Sequence, residues 1–230
     1  MIADVKIGDK WMNADLGLIC RSKDISLPEA FINIIPIPGS SAAIDLTKSN
    51  TGDIEYNRRT IQMIFDYPYG EELYFSKCSQ LSNLYHGQSM IIKFNKDPGW
   101  YWTGRIIVSS TAWSKFGPSI ALTATVDPYK YESQPSYEPW IWDDFNFVDG
   151  IIRDYFDIVV PGTLVLEGRR KRVCPAFICS NAMTVTYLGN TYNLTSGRNV
   201  VPEIFLGLGS HTLTFGGSGT VDIDYVGGSL

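Results

Sequence analysis

Apolar residues that alternate with polar or small ones dominate the patterning of this chain, most clearly from Ile120 to Val126. A period of two places every second side chain on one face of an extended strand. The alternation stops at Asp127-Pro128, because proline has no amide hydrogen for a sheet ladder and restricts the residue before it. Residues 56–66 show the same alternation. The chain is therefore predicted to be mainly β.

One segment has helical periodicity instead. Between Gly70 and His86, apolar or half-apolar side chains recur at positions i, i+4, i+7 and i+11, namely Tyr74, Cys78, Leu81 and Tyr85. This spacing places them on one face of a helix, and Gly87 follows where a helix often ends. We predict one helix that lies across a sheet.

The two halves of the chain differ in sequence pattern. From Gly150 onward, short strand-like segments are separated by regularly spaced glycines, a pattern typical of a β-sandwich. These glycines are Gly162, Gly168, Gly189, Gly197, Gly207, Gly209 and Gly216. We predict an N-terminal β-rich domain with one helix over residues 1–132, an aromatic and proline-containing linker over 133–146, and a C-terminal β-sandwich over 147–230.

Composition argues against a nucleic-acid partner. The 230 residues carry a formal net charge of −5, whereas phosphate contacts need clustered lysine and arginine. The one dense basic run, residues 169–172, is short and predicts a solvated turn. The N-terminus shows no secretory signal, and no apolar run approaches the length of a membrane span.

The residue types that usually hold metals or cofactors are sparse. The four cysteines lie at positions 20, 78, 174 and 179 without a C-x-x-C pair, and there are only two histidines. A zinc site is therefore not expected. The four cysteines are expected to be reduced thiols. Glycine-rich stretches at 207–210 and 216–219 lack the lysine of a phosphate-binding loop. We predict neither a metal nor a cofactor.

No group of residues predicts catalysis. His86 falls at the end of the predicted helix, and His211 starts a strand and is expected to be exposed. Asp143 and Asp144 are adjacent, so in an extended chain they point apart, which does not suit two carboxylates that flank a glycosidic bond. The chain is predicted not to be an enzyme.

Aromatic residues are concentrated between Tyr129 and Phe147, interleaved with Pro135 and Pro139. Exposed rings beside carboxylates could stack on sugars, as in a carbohydrate-binding module, or the same rings could form a packed seam between two domains. We favour the seam, because most aromatics of the predicted sandwich alternate as core residues do. Its predicted residues are Tyr129, Tyr131, Trp140 and Trp142.

The chain resembles the distal tail protein (Dit) family of long non-contractile-tailed bacteriophages. The matching stretches occur in the family's order and extend over essentially the whole chain. They are Asp15 to Leu18, Ile37 to Gly39, Ile44 to Thr47, Tyr56 to Arg59, Asp97 to Gly99, Tyr101 to Arg105, Asp127 to Tyr131 and Phe215 to Tyr225. One departure is the stretch from Gly39 to Ala43, where the family usually carries a second glycine and an acid.

This resemblance implies a structural protein of the virion rather than an enzyme. The N-terminal domain would form a hexameric ring through strand pairing between neighbours, and the C-terminal domain would be a galectin-like sandwich outside it. The ring would join the tail tube protein to the tail-associated lysin or tip protein and to receptor-binding or baseplate proteins. DNA would pass through without specific binding, and assembly would occur in the bacterial cytoplasm. The alternative function is a carbohydrate-binding module that attaches the tail to cell-wall glycans.

Overall fold

The computed structural model describes residues 4–49, 52–114, 117–139, 145, 147–148 and 150–230. Within them it has one helix and strands that pair antiparallel, so the mainly β fold class is confirmed. No helix of the described part is long and apolar enough to cross a membrane. The chain divides into two compact units: the first unit comprises residues 1–96 and 102–128, and the second unit comprises 97–101 and 129–230. The domain ranges given above remain predictions.

The first unit is built on a sheet with the strand order β2-β1-β7-β8-β9-β6-β3. Its elements in chain order are β1 (Val5–Ile7), β2 (Lys10–Trp11), β3 (Ile19–Ile25), β4 (Ile34–Pro36), β5 (Ala43–Asp45), β6 (Arg59–Asp66), α1 (Glu71–Tyr85), β7 (Ser89–Phe94), β8 (Trp100–Ser114) and β9 (Gly117–Val126). Strands β4 and β5 pair only with each other. Trp100 and Tyr101, at the start of β8, belong to the second unit.

The two clearest sequence predictions for the first unit are confirmed. Strand β9 ends at Val126, and its alternate residues from Ile120 to Val126 are fully buried. Helix α1 buries Tyr74, Leu81 and Tyr85 in the same core as these strand residues. Gly87 follows the helix with a φ of 78°, the left-handed conformation that ends helices at low cost for glycine.

The second unit is built around one long strand. Its strands are β10 (Lys130–Glu132), β11 (Ile158–Gly168), β12 (Ala176–Cys179), β13 (Met183–Tyr187), β14 (Asn190–Leu194), β15 (Gly197–Val200), β16 (Gly209–Asp224) and β17 (Gly228–Ser229). β16 pairs with β11 along one edge, whereas its other edge pairs first with β13 and then with β12. Glycines from 216 to 219 lie at this change of partner. Both halves of β16 thereby contribute to one core, which includes Phe215 and Ile223.

A close backbone approach explains why one of the glycines of this unit is required. A Cβ on Gly168, at the end of β11, would lie 1.9 Å from the carbonyl oxygen of Gly207, whereas a Cβ on Gly207 would meet nothing within 4 Å. We expect Gly168→Ala to lower the free energy of unfolding by about 1–3 kcal/mol through overpacking. Gly207→Ala is the matched control, with an expected change within about 0.5 kcal/mol. Thermal unfolding of both variants tests this, and equal melting temperatures would contradict it.

Candidate assembly interface

The most unusual surface of the first unit is a projection that we call the arm, residues 26–49 and 52–58, between β3 and β6. Its backbone continues outward as a two-stranded ribbon, with hydrogen bonds from Phe31 N–H to the Glu55 carbonyl (2.8 Å) and from Leu46 N–H to the Asn33 carbonyl (2.8 Å). Strands β4 and β5 form its outer end. An isolated two-stranded ribbon is at best marginally stable in water, so other surfaces usually cover one.

The outer part of the arm is both apolar and exposed. Every residue from 31 to 45 is exposed. Ile34 and Ile35 point to opposite faces of β4 and are 53% and 46% exposed, so both faces are open to solvent in part. The other large apolar side chains exposed on the arm are Leu27, Phe31, Ile32, Ile37 and Ile44. Contiguous exposed apolar surface of this kind marks interaction sites. The sequence predicted strands here, but its apolar content did not reveal that they lie outside the sheet.

The turn of the arm is held by its own short-range contacts. Gly39 adopts a φ of 76°, and Ser40 Oγ accepts a hydrogen bond from Ala42 N–H at 3.0 Å. At the end of β5, the hydroxyl and N–H of Thr47 bond to the Asp45 carboxylate and lower the pKa of that carboxyl. The Asp45 carboxylate is therefore an anion near the outer end of the arm.

Two of the stretches that carry the family resemblance meet at the base of the arm. Arg59 is only 5% exposed and lies over the ring of Trp102, 4.1 Å from its centroid. Burial lowers the pKa of Arg59 to about 10, so the side chain is still a cation at neutral pH. A buried cation on a tryptophan face is a strong form of this contact, and it anchors the first residue of β6.

A groove lies at the opposite edge of the same sheet. It has a volume of about 440 Å³ and is formed by the β1–β2 turn, the end of α1 and β7. Three lysines line it, Lys6, Lys10 and Lys93, and none of them forms a salt bridge with another described residue. Ile91, which also lines the groove, is 45% exposed. The groove thus combines an apolar surface with an excess of positive charge.

The second unit contains a buried ionic cluster, which we define as Glu132, Arg153 and Arg169. Glu132 Oε2 bonds to Arg153 Nη1, and Glu132 Oε1 lies 3.0 Å from Arg169 Nε. The Gly227 N–H donates to Glu132 Oε2 at 3.1 Å, and Arg153 Nε donates to the Tyr225 hydroxyl at 3.0 Å. A small cavity of about 50 Å³ adjoins these side chains. Every partner of Glu132 here is structural, so the cluster ties β10 to three segments that lie outside the strands.

The pKa values within this cluster follow from burial and neighbouring charge. Burial acts to lower the pKa of Arg153, but the Glu132 carboxylate and the Tyr225 hydroxyl outweigh it, and the pKa is raised. Burial also raises the pKa of Tyr225. Both groups therefore keep their ordinary protonation state at neutral pH. Sequence analysis missed the cluster, because its members are far apart in sequence.

The basic run at residues 169–172 was predicted to be a solvated turn. It lies outside the strands and Arg172 is exposed, but residues 169–171 are half-buried, so that part of the prediction is wrong. Arg169 binds Glu132, and its guanidinium lies 5.0 Å from the ring centroid of Trp100. Lys171 lies 4.3 Å from the ring centroid of Tyr131, and Arg172 lies 4.1 Å from that of Phe205. Aromatic faces attract cations. The three cationic side chains therefore pack against aromatic residues of the second unit.

The predicted seam is described only in part. Tyr129 is buried and Tyr131 is half-buried, both in the second unit. Trp140 and Trp142 lie outside the described residues, as do Asp143 and Asp144. The seam stays a prediction.

The two histidines are placed differently from each other. His86 is exposed at the end of α1, as predicted, and its Nδ1 accepts a hydrogen bond from Val108 N–H at 3.2 Å. His211 was predicted to be exposed, and this is wrong. It is half-buried, with Nδ1 2.8 Å from the Tyr187 hydroxyl and Nε2 2.9 Å from the Gly207 carbonyl. Its ring is held by structural partners.

The remaining reactive groups form no cluster. The four cysteines are unpaired, and burial raises the thiol pKa of Cys20, Cys174 and Cys179. Raised pKa values disfavour the reactive thiolate. Among the described residues, no group of three or more His, Cys, Asp or Glu is placed to hold a metal ion.

Aromatic side chains of the second unit are mostly internal. Phe177 and Phe215 are buried in its core, as their alternation predicted, and Tyr187 joins them. Of the described aromatic residues in this unit, only Phe147 is exposed. A sugar-binding platform needs several exposed rings, so the described surface of the second unit does not supply one.

No protein-family model matches the chain, and no curated protein matches it either. Its fold is nevertheless that of a tail hub protein from phages that infect Gram-positive bacteria. The solved structure is that of SPP1 Dit (gp 19.1), described as a paradigm of the hub adsorption apparatus in such phages. The two chains superpose with a TM-score of 0.58 over 98% of this chain and 99% of that chain, at 10% sequence identity. The resemblance stated from the sequence is thereby confirmed at the level of the fold.

Proposed function

We propose that this protein is a structural hub of a phage or prophage tail. Six copies form a ring from the N-terminal domain, and the ring joins the tail tube to the baseplate or tail tip. Its partners are the tail tube protein, the tail-associated lysin or tip protein and receptor-binding or baseplate proteins. The ring assembles in the host cytoplasm and is part of the distal end of the virion tail.

The observation that carries this proposal is the arm. Fifteen successive residues, 31–45, are exposed in the single chain and are largely apolar. A stable protein contact buries roughly 800 Å² on each partner, and the arm offers apolar surface on both of its faces for such a contact. The shared fold with a phage hub adds support.

A contact between two different surfaces of identical subunits closes into a ring when the rotation between neighbours allows it. The net charge of −5 on each subunit suits a channel through which DNA passes without binding, because phosphate groups are repelled by negative charge.

We propose that the hub has no catalytic role. The alternative glycan-binding function has only Phe147 as an exposed aromatic residue among those described in the second unit.

The ring can be tested on the purified full chain. We expect negative-stain images with six-fold symmetry and a light-scattering mass of six subunits at tens of micromolar protein. The same sample with added tail tube protein should form a larger complex, which serves as a functional control. Persistent monomers, both alone and with the tube protein, would count against the proposed function.

A further inference from the structure

We infer that the groove of the first unit binds an acidic segment of a different tail protein, whose carboxylates are held by Lys6 and Lys93. This inference rests on the proposed hub function, because it gives the chemistry of one partner of the hub. The occupant is a short peptide segment in which an acidic side chain lies next to an apolar one.

The first argument is a pair of lysines that face each other across two strands. Lys6 of β1 and Lys93 of β7 are directly opposite in the antiparallel register. Side chains in such positions are close neighbours, and like charges there are destabilising. Neither lysine has a salt bridge to any described residue. A bound carboxylate would bridge the two ammonium groups and remove their repulsion.

The second argument is the charge of the whole groove. Lys10 joins Lys6 and Lys93 in its wall, and Asp9 is the one acidic residue among the described residues that line it. The groove is therefore positive, although the chain as a whole carries −5. Local positive charge fixes the register of an acidic segment. The negative charge of the rest of the chain opposes a long polyanion such as DNA.

The third argument is a hydroxyl group without an acceptor. Tyr85 lines the groove and is 3% exposed, and its hydroxyl has no hydrogen-bond partner in the described part of the chain. Burial raises the pKa of Tyr85 to about 12, and the Asp15 and Asp9 carboxylates add to this rise. The hydroxyl therefore keeps its proton. A buried donor that lacks an acceptor lowers stability, and an oxygen of a bound peptide would satisfy it.

The fourth argument is the size and the apolar wall of the groove. Its volume is about 440 Å³, which is within the range of ligand sites and far more than an inorganic anion occupies. Met90 and Leu84 are half-buried in its wall, and Ile91 is 45% exposed. An apolar side chain of the bound segment would cover these residues and remove apolar surface from water.

A binding experiment on the full chain tests the inference. The probe is a short fluorescein-labelled peptide that alternates glutamate and leucine, and fluorescence polarisation measures its affinity. We expect saturable binding that weakens as salt is added, since salt screens charge. The same peptide with glutamine in place of glutamate should bind about tenfold more weakly or less. Equal affinity of the two peptides, or displacement of the acidic peptide by an equal concentration of inorganic phosphate or of a DNA duplex, would overturn the inference.

Substitution of the two lysines shows where the peptide binds. Lys6→Gln with Lys93→Gln should weaken binding of the acidic peptide by about tenfold or more. The matched control is Lys48→Gln with Lys96→Gln, which changes the net charge equally at exposed lysines outside the groove. The control should keep the wild-type affinity. If the two double variants bind equally well, the groove is not the site.

Charge reversal separates ligand binding from a structural role of the lysines. Lys6→Glu converts the like-charged pair with Lys93 into an ion pair, so the melting temperature should rise by about 1–2 °C while peptide binding is lost. Tyr85→Phe removes a hydroxyl without a partner, so it should weaken binding without lowering the melting temperature. A fall in melting temperature for Lys6→Glu, or unchanged peptide binding in both variants, would overturn the inference.

Ring assembly distinguishes this inference from the proposed function. Lys6→Glu should form the same rings as the wild type, because the groove receives a different protein. If this variant alone loses the ring, the groove is a contact between copies, and the inference fails while the hub function stands. If the wild type stays monomeric with and without the tube protein but binds the acidic peptide through Lys6 and Lys93, the hub function fails and the peptide site stands.

Discussion

Glu132→Ala is expected to lower the free energy of unfolding of the second unit by about 3–5 kcal/mol, because it leaves buried positive charge without its partner. The side chain of Glu132 is 10% exposed, and those of Arg153 and Arg169 are 6% and 13% exposed. Removing the carboxylate therefore leaves two guanidinium groups with little access to water. It also removes the acceptor of the Gly227 N–H.

Chemical denaturation at a fixed protein concentration measures this effect. The matched control is Asp224→Ala, which removes the salt bridge to Arg198, whose side chain is 57% exposed. Exposed ion pairs contribute about 0–1 kcal/mol. The double variant with Arg153→Ala should lose less stability than the sum of the single losses, because each replacement removes the charge that the other leaves unpaired. If Glu132→Ala and the control lose the same small amount, the cluster does not stabilise the unit.

Leu81→Ala is expected to lower the free energy of unfolding of the first unit by about 2–5 kcal/mol. Leu81 lies on the buried face of α1 and has no exposed surface. The truncation removes apolar contacts with the strands and leaves a cavity, since the close-packed core relaxes only in part.

The same helix supplies the control for this prediction. Leu73→Ala changes the same residue type at a position that is 58% exposed, and its effect should stay within about 0.5 kcal/mol. Thermal and chemical unfolding of the two variants, compared with the wild type, separate burial from helix propensity. Equal losses of stability would show that α1 does not pack as described.

Local patterns account for the parts of the fold that the sequence predicted. The spacing of Tyr74, Cys78, Leu81 and Tyr85 identified the helix, because neighbouring turns of a helix bring these positions to one face. Strand β9 was identified from its alternation and from the proline that follows it. Both patterns depend on residues within a few positions of one another, so they can be recognised from a single sequence.

The ionic cluster depends on residues that are distant in the chain. Glu132 contacts Arg153, Arg169 and the backbone of Gly227, and no periodicity links these positions. The same reason explains why residues 169–171 were wrongly assigned to solvent and His211 to an exposed site. Their partners, including Trp100, Tyr131 and Tyr187, are supplied by strands from other parts of the second unit.

The sequence alone determined the mainly β class, the helix and the resemblance to phage distal tail proteins, since these follow from local periodicity and from short stretches in a fixed order. Only the tertiary structure decided which apolar strands are core and which are surface. Strands β4 and β9 are both apolar in sequence, yet Leu122 of β9 is fully buried and Ile34 of β4 is 53% exposed. The physical reason is that burial depends on which elements pack against a strand, and no element in the described part of the chain buries the outer arm.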